Sequence, residues 1–148
     1  MVKVNQIGQY LGEFRHNLTE RNRLALPKRI RIEIVGNEVV LSRGFEECIA
    51  CFDMQRWKKM ADEQVATQFS EERARFLRRQ IFSSALIVEI DGQGRVVIPD
   101  MLLSWAGLRG RLGEEVVIIG TGDYFELWQK ERWDAYVNKL RQKDLSKS

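Results

Sequence analysis

Two arginines, Arg23 and Arg95, each follow a short polar turn, and the segments that contain them repeat one another. Leu18-Thr19-Glu20-Arg21-Asn22-Arg23-Leu24-Ala25-Leu26-Pro27 aligns with Ile90-Asp91-Gly92-Gln93-Gly94-Arg95-Val96-Val97-Ile98-Pro99, 72 positions further on. An arginine at the exit of a rigid turn projects a planar fork of donors, which can chelate the O6 and N7 edge of a guanine or clamp a phosphate. Around Arg23 the residues Arg21, Lys28, Arg29 and Arg31 add positive charge, with no acid between positions 21 and 31. That is the electrostatic footprint of a surface that tracks phosphates. The second turn carries less of it. The plain alternative, for both turns, is that Asp91 and Arg95 merely staple their own hairpin.

Little else in the chain points to chemistry. His16 is the single histidine and reads as a surface or strand residue, and there is no nucleophile elbow, phosphate-cradling glycine loop or metal-ligand spacing. Catalysis is not expected, nor is a cofactor, a metal or a small-molecule substrate. Cys48 and Cys51 have the spacing of a redox pair or half a zinc site. They lie in a strand-like segment, where residues three apart face opposite ways, and no second pair completes four ligands. They read as buried or half-buried structural thiols.

The elements that must position the turns recur in the same order. Each copy reads as strand, turn, strand ending in proline, short helix, two-stranded hairpin and closing helix. Residues 86–90 and 96–98 flank Asp91-Gly92-Gln93-Gly94 and predict a hairpin. Pro99 starts a helix through Met101, Leu102 and Trp105 that Gly107 stops, and Pro27 and Gly36 bracket its counterpart. A second hairpin joins residues 115–119 to 124–128, matched by 39–42 and 48–52, and residues 129–140 form the closing helix. Between the copies, 53–68 and 70–82 predict two helices, the latter with Ser70 as N-cap and Ala74, Leu77 and Ile81 inward. Arg73, Arg75, Arg78 and Arg79 on its other sides read as a solvated face ahead of a DNA contact. The organisation expected is a first repeat over residues 13–55, a helical connector over 56–84, a second repeat over 85–131, and a closing helix with a polar, frayed tail over 132–148.

With 148 residues, 44% hydrophobic and 30% charged, the chain has the makeup of a globular protein, and its net charge of +3 is compatible with a polyanionic partner. No window has the roughly 20 apolar residues of a membrane span, and the N-terminus lacks a signal-peptide core, so a cytoplasmic protein is expected. A unit of about 45 residues is too small to bury a sufficient core alone. Two copies packed about a pseudo-two-fold axis solve that problem.

The run Asp91-Gly92-Gln93-Gly94-Arg95-Val96-Val97-Ile98-Pro99 resembles the turn of AbrB-type DNA-binding modules. Its tandem occurrence, the Phe82-Ser83-Ser84-Ala85 approach, Phe125-Glu126-Leu127-Trp128 followed by Arg132-Trp133, and the total length are similar to the MraZ family. The likeness runs from about Gly12 to about Tyr136. It implies an α+β, mainly β fold, a double-split β-barrel of the AbrB/MazE/MraZ type, and a DNA-binding, nucleoid-associated repressor of its own cell-division and cell-wall operon. It also implies a homo-oligomer, a closed ring, bound to short promoter repeats of double-stranded DNA. The candidate contacts are Arg21, Asn22, Arg23, Lys28, Arg29, Gln93 and Arg95, with Thr19, Asp91 and Gly94 shaping the turns.

Two positions depart from the family pattern. Asn22 replaces the usual Gly and tolerates the left-handed backbone such a turn needs. Thr19 replaces the usual Asp; its hydroxyl can accept one backbone hydrogen bond but cannot pair ionically with Arg23. Either Arg23 is worse oriented or the turn is simply more cationic, and the charge sum favours the second. Rival readings are an antitoxin-like protein-interaction module of the same fold and non-specific nucleic-acid binding, including RNA.

Overall fold

The structure, a computed structural model, describes residues 7–66 and 71–146. It is a mixed α+β fold, with eight strands in two sheets among the described residues. The first repeat supplies β1 (Glu13–Asn17), β2 (Arg23–Ala25), α1 (Lys28–Arg31), β3 (Glu38–Arg43), β4 (Ile49–Asp53) and α2 (Met54–Ala66). After α3 (Glu72–Ser84), the second supplies β5 (Leu86–Glu89), β6 (Arg95–Val97), α4 (Asp100–Ala106), β7 (Glu115–Gly120), β8 (Phe125–Gln129) and α5 (Lys130–Ser146).

Six strands form one antiparallel sheet in the order β1-β7-β8-β4-β3-β5, and β2 pairs with β6 as a separate ribbon. Exchanging each strand for its repeat equivalent reverses the order of the sheet onto itself. The pseudo-two-fold axis therefore passes between β8 and β4, which pair through Ile49 opposite Leu127 and Cys51 opposite Phe125.

Here the structure corrects the sequence reading. The strands flanking each polar turn do not pair with each other. β1 pairs with β7 and β5 with β3, while β2 and β6 pair across the repeats. The two copies are interleaved, and neither turn closes a hairpin of its own. The expected pairings β3–β4 and β7–β8 are present.

Central strands β4 and β8 are buried along their whole length because both faces of the sheet are covered. On one face the ribbon, α1 and α4 enclose the main core, with Leu18, Leu24, Leu26, Ile30, Val96, Ile98 and Leu102 against Leu41, Ile49, Cys51, Ile118 and Leu127. On the other, α2 sets Trp57 against Phe52, and α5 sets Trp133 and Tyr136 against Trp128. α4 ends as expected at Gly107, in the left-handed conformation at φ 74°, with Leu108 N–H donating to Leu103 O at 2.8 Å. Residues 142–146, read as a frayed tail, continue α5 instead. Ser70, read as an N-cap, lies outside the described residues, and α3 begins at Glu72. No helix among the described residues is long and apolar enough to cross a membrane.

Candidate nucleic-acid interface

The ribbon brings the two turn arginines together. Arg23 lies opposite Val97, Leu24 opposite Val96, and Ala25 opposite Arg95. Because side chains alternate along a strand, Leu24 and Val96 enter the core and Arg23, Ala25, Arg95 and Val97 share the outer face. Arg23 and Arg95 are diagonal neighbours on that face, about 7–8 Å apart at the backbone. Leu26 N–H donates to Gly94 O and Ile98 N–H to Asn22 O, both at 2.9 Å. These equivalent bonds extend the ribbon into both turns and fix the arginines relative to each other.

The second turn is shaped by a carboxylate. Asp91 Oδ1 accepts from the backbone N–H of Gln93 at 2.8 Å and of Arg95 at 3.0 Å, and Oδ2 accepts from Arg95 Nε at 3.0 Å. The Arg95 and Gln93 N–H groups, helped by the guanidinium, hold the Asp91 carboxyl below the usual carboxylate range. Gly94 N–H closes the turn on Asp91 O at 3.0 Å, with Gly94 at φ 77°. Only the Nε edge of Arg95 is engaged by this pair, and the exposed Gln93 sits at the tip.

The first turn reaches a related shape without an acid. Thr19 N–H and Thr19 Oγ1–H both donate to Arg23 O, at 2.9 and 3.1 Å. The hydroxyl is therefore a donor here and not the acceptor expected from the sequence. Asn22 takes the left-handed conformation at φ 58°, as its residue type anticipated, and so does Arg21 at φ 60°, which nothing in the residue type foretold. Among the described residues no carboxylate lies within ion-pair distance of Arg23.

The cations that follow Arg23 in sequence are shared out by the interleaving. Arg31 does not sit at the first turn. Its side chain packs on Gly94 of the second, where an added Cβ would lie 2.7 Å from Nη1, and its Nε donates to Leu26 O at 3.0 Å. Lys28 is exposed at the start of α1. Arg29 reaches Glu33 Oε1 at 3.2 Å, and Glu33 also accepts from Ile7 and Gly8 N–H. Burial works to raise the Glu33 pKa, but these N–H groups and Arg29 outweigh it and the carboxyl ends below its ordinary value. The single cationic cluster expected around Arg23 is thus divided between the two turns.

His16 does more than its type suggested: Nδ1 faces Ala25 O, so the nitrogen that carries the proton there fastens β1 to the ribbon. Cys48 and Cys51 are buried, free, and in cores on opposite faces of the sheet, and burial pushes both thiols up. The ligand atoms of Glu46, Cys48 and Glu126 lie within 4.8 Å of one another. Cys48 Sγ–H donates to Glu126 Oε2 at 3.5 Å and Trp128 Nε1–H to Oε1 at 3.1 Å, a hydrogen-bonded polar island in the core. On α3, Arg73 and Arg79 are exposed while Arg75 and Arg78 are half-buried and engaged.

A family described as "MraZ protein" and antitoxin-like matches residues 10–80 and again 81–148. A Thermomicrobium roseum protein named "Transcriptional regulator MraZ" is 35% identical over 131 residues, covering 88% of this chain and 89% of the relative. Proteins of the same name from Roseiflexus castenholzii and Lactobacillus helveticus are 36% identical over 131 residues and 37% over 133, with 88% and 90% of each chain covered.

Proposed function

The chain belongs to the MraZ family, and we propose that it is a transcriptional regulator that binds double-stranded DNA through the outer face of the β2–β6 ribbon. One observation carries this reading: the two turn arginines, each half-buried, share the outer face of a rigid two-stranded ribbon. A two-stranded ribbon fits the major groove, which is about 12 Å wide, and an arginine fork matches the edge of a guanine there. Arg23 and Arg95 are the base-reading candidates. Arg21, Asn22 and Gln93 at the turn tips, with Lys28 and Arg29 on α1, are candidates for flanking contacts, and Thr19, Asp91 and Gly94 set the backbone that aims them.

The family resemblance extends the reading to repression of the chain's own operon of cell-division and cell-wall genes, at promoter direct repeats, by a nucleoid-associated protein in the cytoplasm. One ribbon reads only a few base pairs, so tight binding calls for several copies. A homo-oligomeric ring that presents several ribbons to repeated boxes gains by effective concentration. The antitoxin-like alternative, binding a protein partner, draws on the family description alone. The aromatic residues of α5 that such a partner could seek are packed on this chain's own sheet.

Arg23→Ala and Arg95→Ala should each weaken binding to a duplex from upstream of the chain's own gene, by about ten- to a hundredfold for a lost bidentate base contact. Gel-shift titration at fixed salt reads this directly. Parent-like binding by both variants defeats the assignment.

A further inference from the structure

The first turn is seated in the second repeat. Asn22 Nδ2–H reaches Asp100 Oδ1 at 3.5 Å at the start of α4. The loop after α4 is tied to the residue that opens the turn, through Gly113 N–H to Leu18 O at 2.7 Å and Leu18 N–H to Glu114 O at 3.0 Å. Along the outer side of α4 runs an open cleft of about 590 Å³, walled by Trp105 with Arg43, Arg109 and Arg132.

Three arginines and two acids, Asp100 and Glu47, line the cleft. Arg132 is spoken for: it pairs with Glu47 Oε2 at 3.3 Å and donates to Trp105 O at 3.0 Å. Arg43 lies over the Trp105 ring, 5.4 Å from its centroid, and its Nε is buried with no hydrogen-bond partner among the described residues. Arg109 is exposed, and among those residues no carboxylate is within ion-pair distance of either Arg43 or Arg109. The seven residues of α4 span about 10 Å, the axial reach of about three phosphates of one DNA strand. Beside the second turn the equivalent loop, residues 32–37, carries no cation.

We propose that this cleft is a phosphate clamp, taking the backbone of the duplex strand that flanks the ribbon at the first turn. Arg109 is the direct contact, and Arg43, held over Trp105, supplies the positive inner wall. The proposal rests on the DNA-binding reading and adds to it a sequence-independent anchor on one side of the ribbon only.

The test uses the full chain, with a duplex from upstream of its own gene and a random duplex of equal length. Arg109→Gln should weaken binding to both about three- to tenfold at 0.1 M salt and make the slope of log K against log salt shallower by about 0.9, the loss of one phosphate contact. Arg109→Lys, which keeps the charge, should retain the slope. If Arg109→Gln leaves affinity and slope unchanged while Arg23→Ala weakens binding, the clamp is wrong and the ribbon reading stands. If Arg109→Gln changes the sedimentation of the protein but not its DNA affinity, the cleft is a contact between copies and the proposal falls. Parent-like binding by Arg23→Ala and Arg95→Ala would instead remove the reading beneath it.

Discussion

At the second turn one carboxylate organises everything: Asp91 gathers two backbone N–H groups and the Nε of Arg95. At the first turn the Thr19 side chain offers only a hydroxyl, which joins its N–H on Arg23 O, and the backbone itself bends through left-handed Arg21 and Asn22. The two turns occupy equivalent ends of one ribbon, so their shared geometry is imposed by the ribbon's cross-pairing more than by local turn chemistry. Their charge differs as a result. Asp91 cancels Arg95, whereas Glu20, Arg21 and Arg23 leave the first turn at +1. The seats differ in the opposite sense, because Asp100 faces the first turn and Arg31 covers the second. The duplicated sequence has therefore produced two non-identical heads, one whose arginine has no ion-pair partner among the described residues and lies near an acid, and one with a stapled arginine beside a cation.

The largest expected difference between the heads is in stability. Gly94 combines φ 77° with a Cβ position 2.7 Å from Arg31 Nη1. Gly94→Ala should cost about 1–2 kcal/mol for the left-handed backbone alone, with the displacement of Arg31 added. Thermal unfolding should show a drop of roughly 3–6 °C for a chain of this length. Asn22 already holds the equivalent place with a side chain. Asn22→Gly should leave the midpoint within about 1–2 °C, since it exchanges relief at positive φ for entropy of the unfolded chain. Equal losses for the two variants would mean that the turns are built alike after all.

A smaller effect is expected from making the first turn resemble the second. Thr19→Asp should place a carboxylate where it can accept the N–H groups of Arg21 and Arg23 and draw in the Arg23 guanidinium, as Asp91 does with its own turn. The formal charge of the turn falls from +1 to zero. Binding to a random-sequence duplex should weaken about two- to fivefold, with a shallower salt dependence. Fluorescence anisotropy across a salt series measures this, and stronger non-specific binding by the variant would contradict the charge argument.

Much of this arrangement was legible in the residues. The repeat, the two turns, the Pro99–Gly107 bracket of α4 and the β3–β4 and β7–β8 hairpins follow from local signals: turn residues, β-branched runs and caps. The interleaving did not, because Leu86–Glu89 and Arg95–Val97 carry the same alternation whether they pair with each other or with the other repeat. Strand partners are a non-local choice, decided by which pairing covers Leu24, Val96, Leu18 and Ile98 in a single core. That one unreadable choice also moved Arg31 from the first turn to the second and brought Asp100 to Asn22. In each case the sequence gives the residue's identity, but its neighbour is set by topology. Arg21 is a separate matter: the fold holds it at positive φ although its type gives no sign of it.

The smallest difference between the heads is their response to acid. The Asp91 carboxyl is held low chiefly by the Arg95 N–H, then by Gln93 N–H and the Arg95 guanidinium, so the folded turn binds a proton less readily than the unfolded chain does. The stabilisation it provides is fully present above the unfolded carboxylate value of about 4 and is lost as the pH falls through the lower folded value. As the pH falls below about 4, the amide protons of Gln93 and Arg95 should shift and lose protection, measured against the intrinsic exchange rate at each pH, as their acceptor is neutralised. Thr19 offers no titrating group, so the Thr19 amide proton, which is bonded to Arg23 O, should stay protected over the same range. NMR titration with amide exchange distinguishes the two directly. Simultaneous loss of protection at positions 19, 93 and 95 would show that acid melts the ribbon as a whole, and that Asp91 does not control its own turn independently.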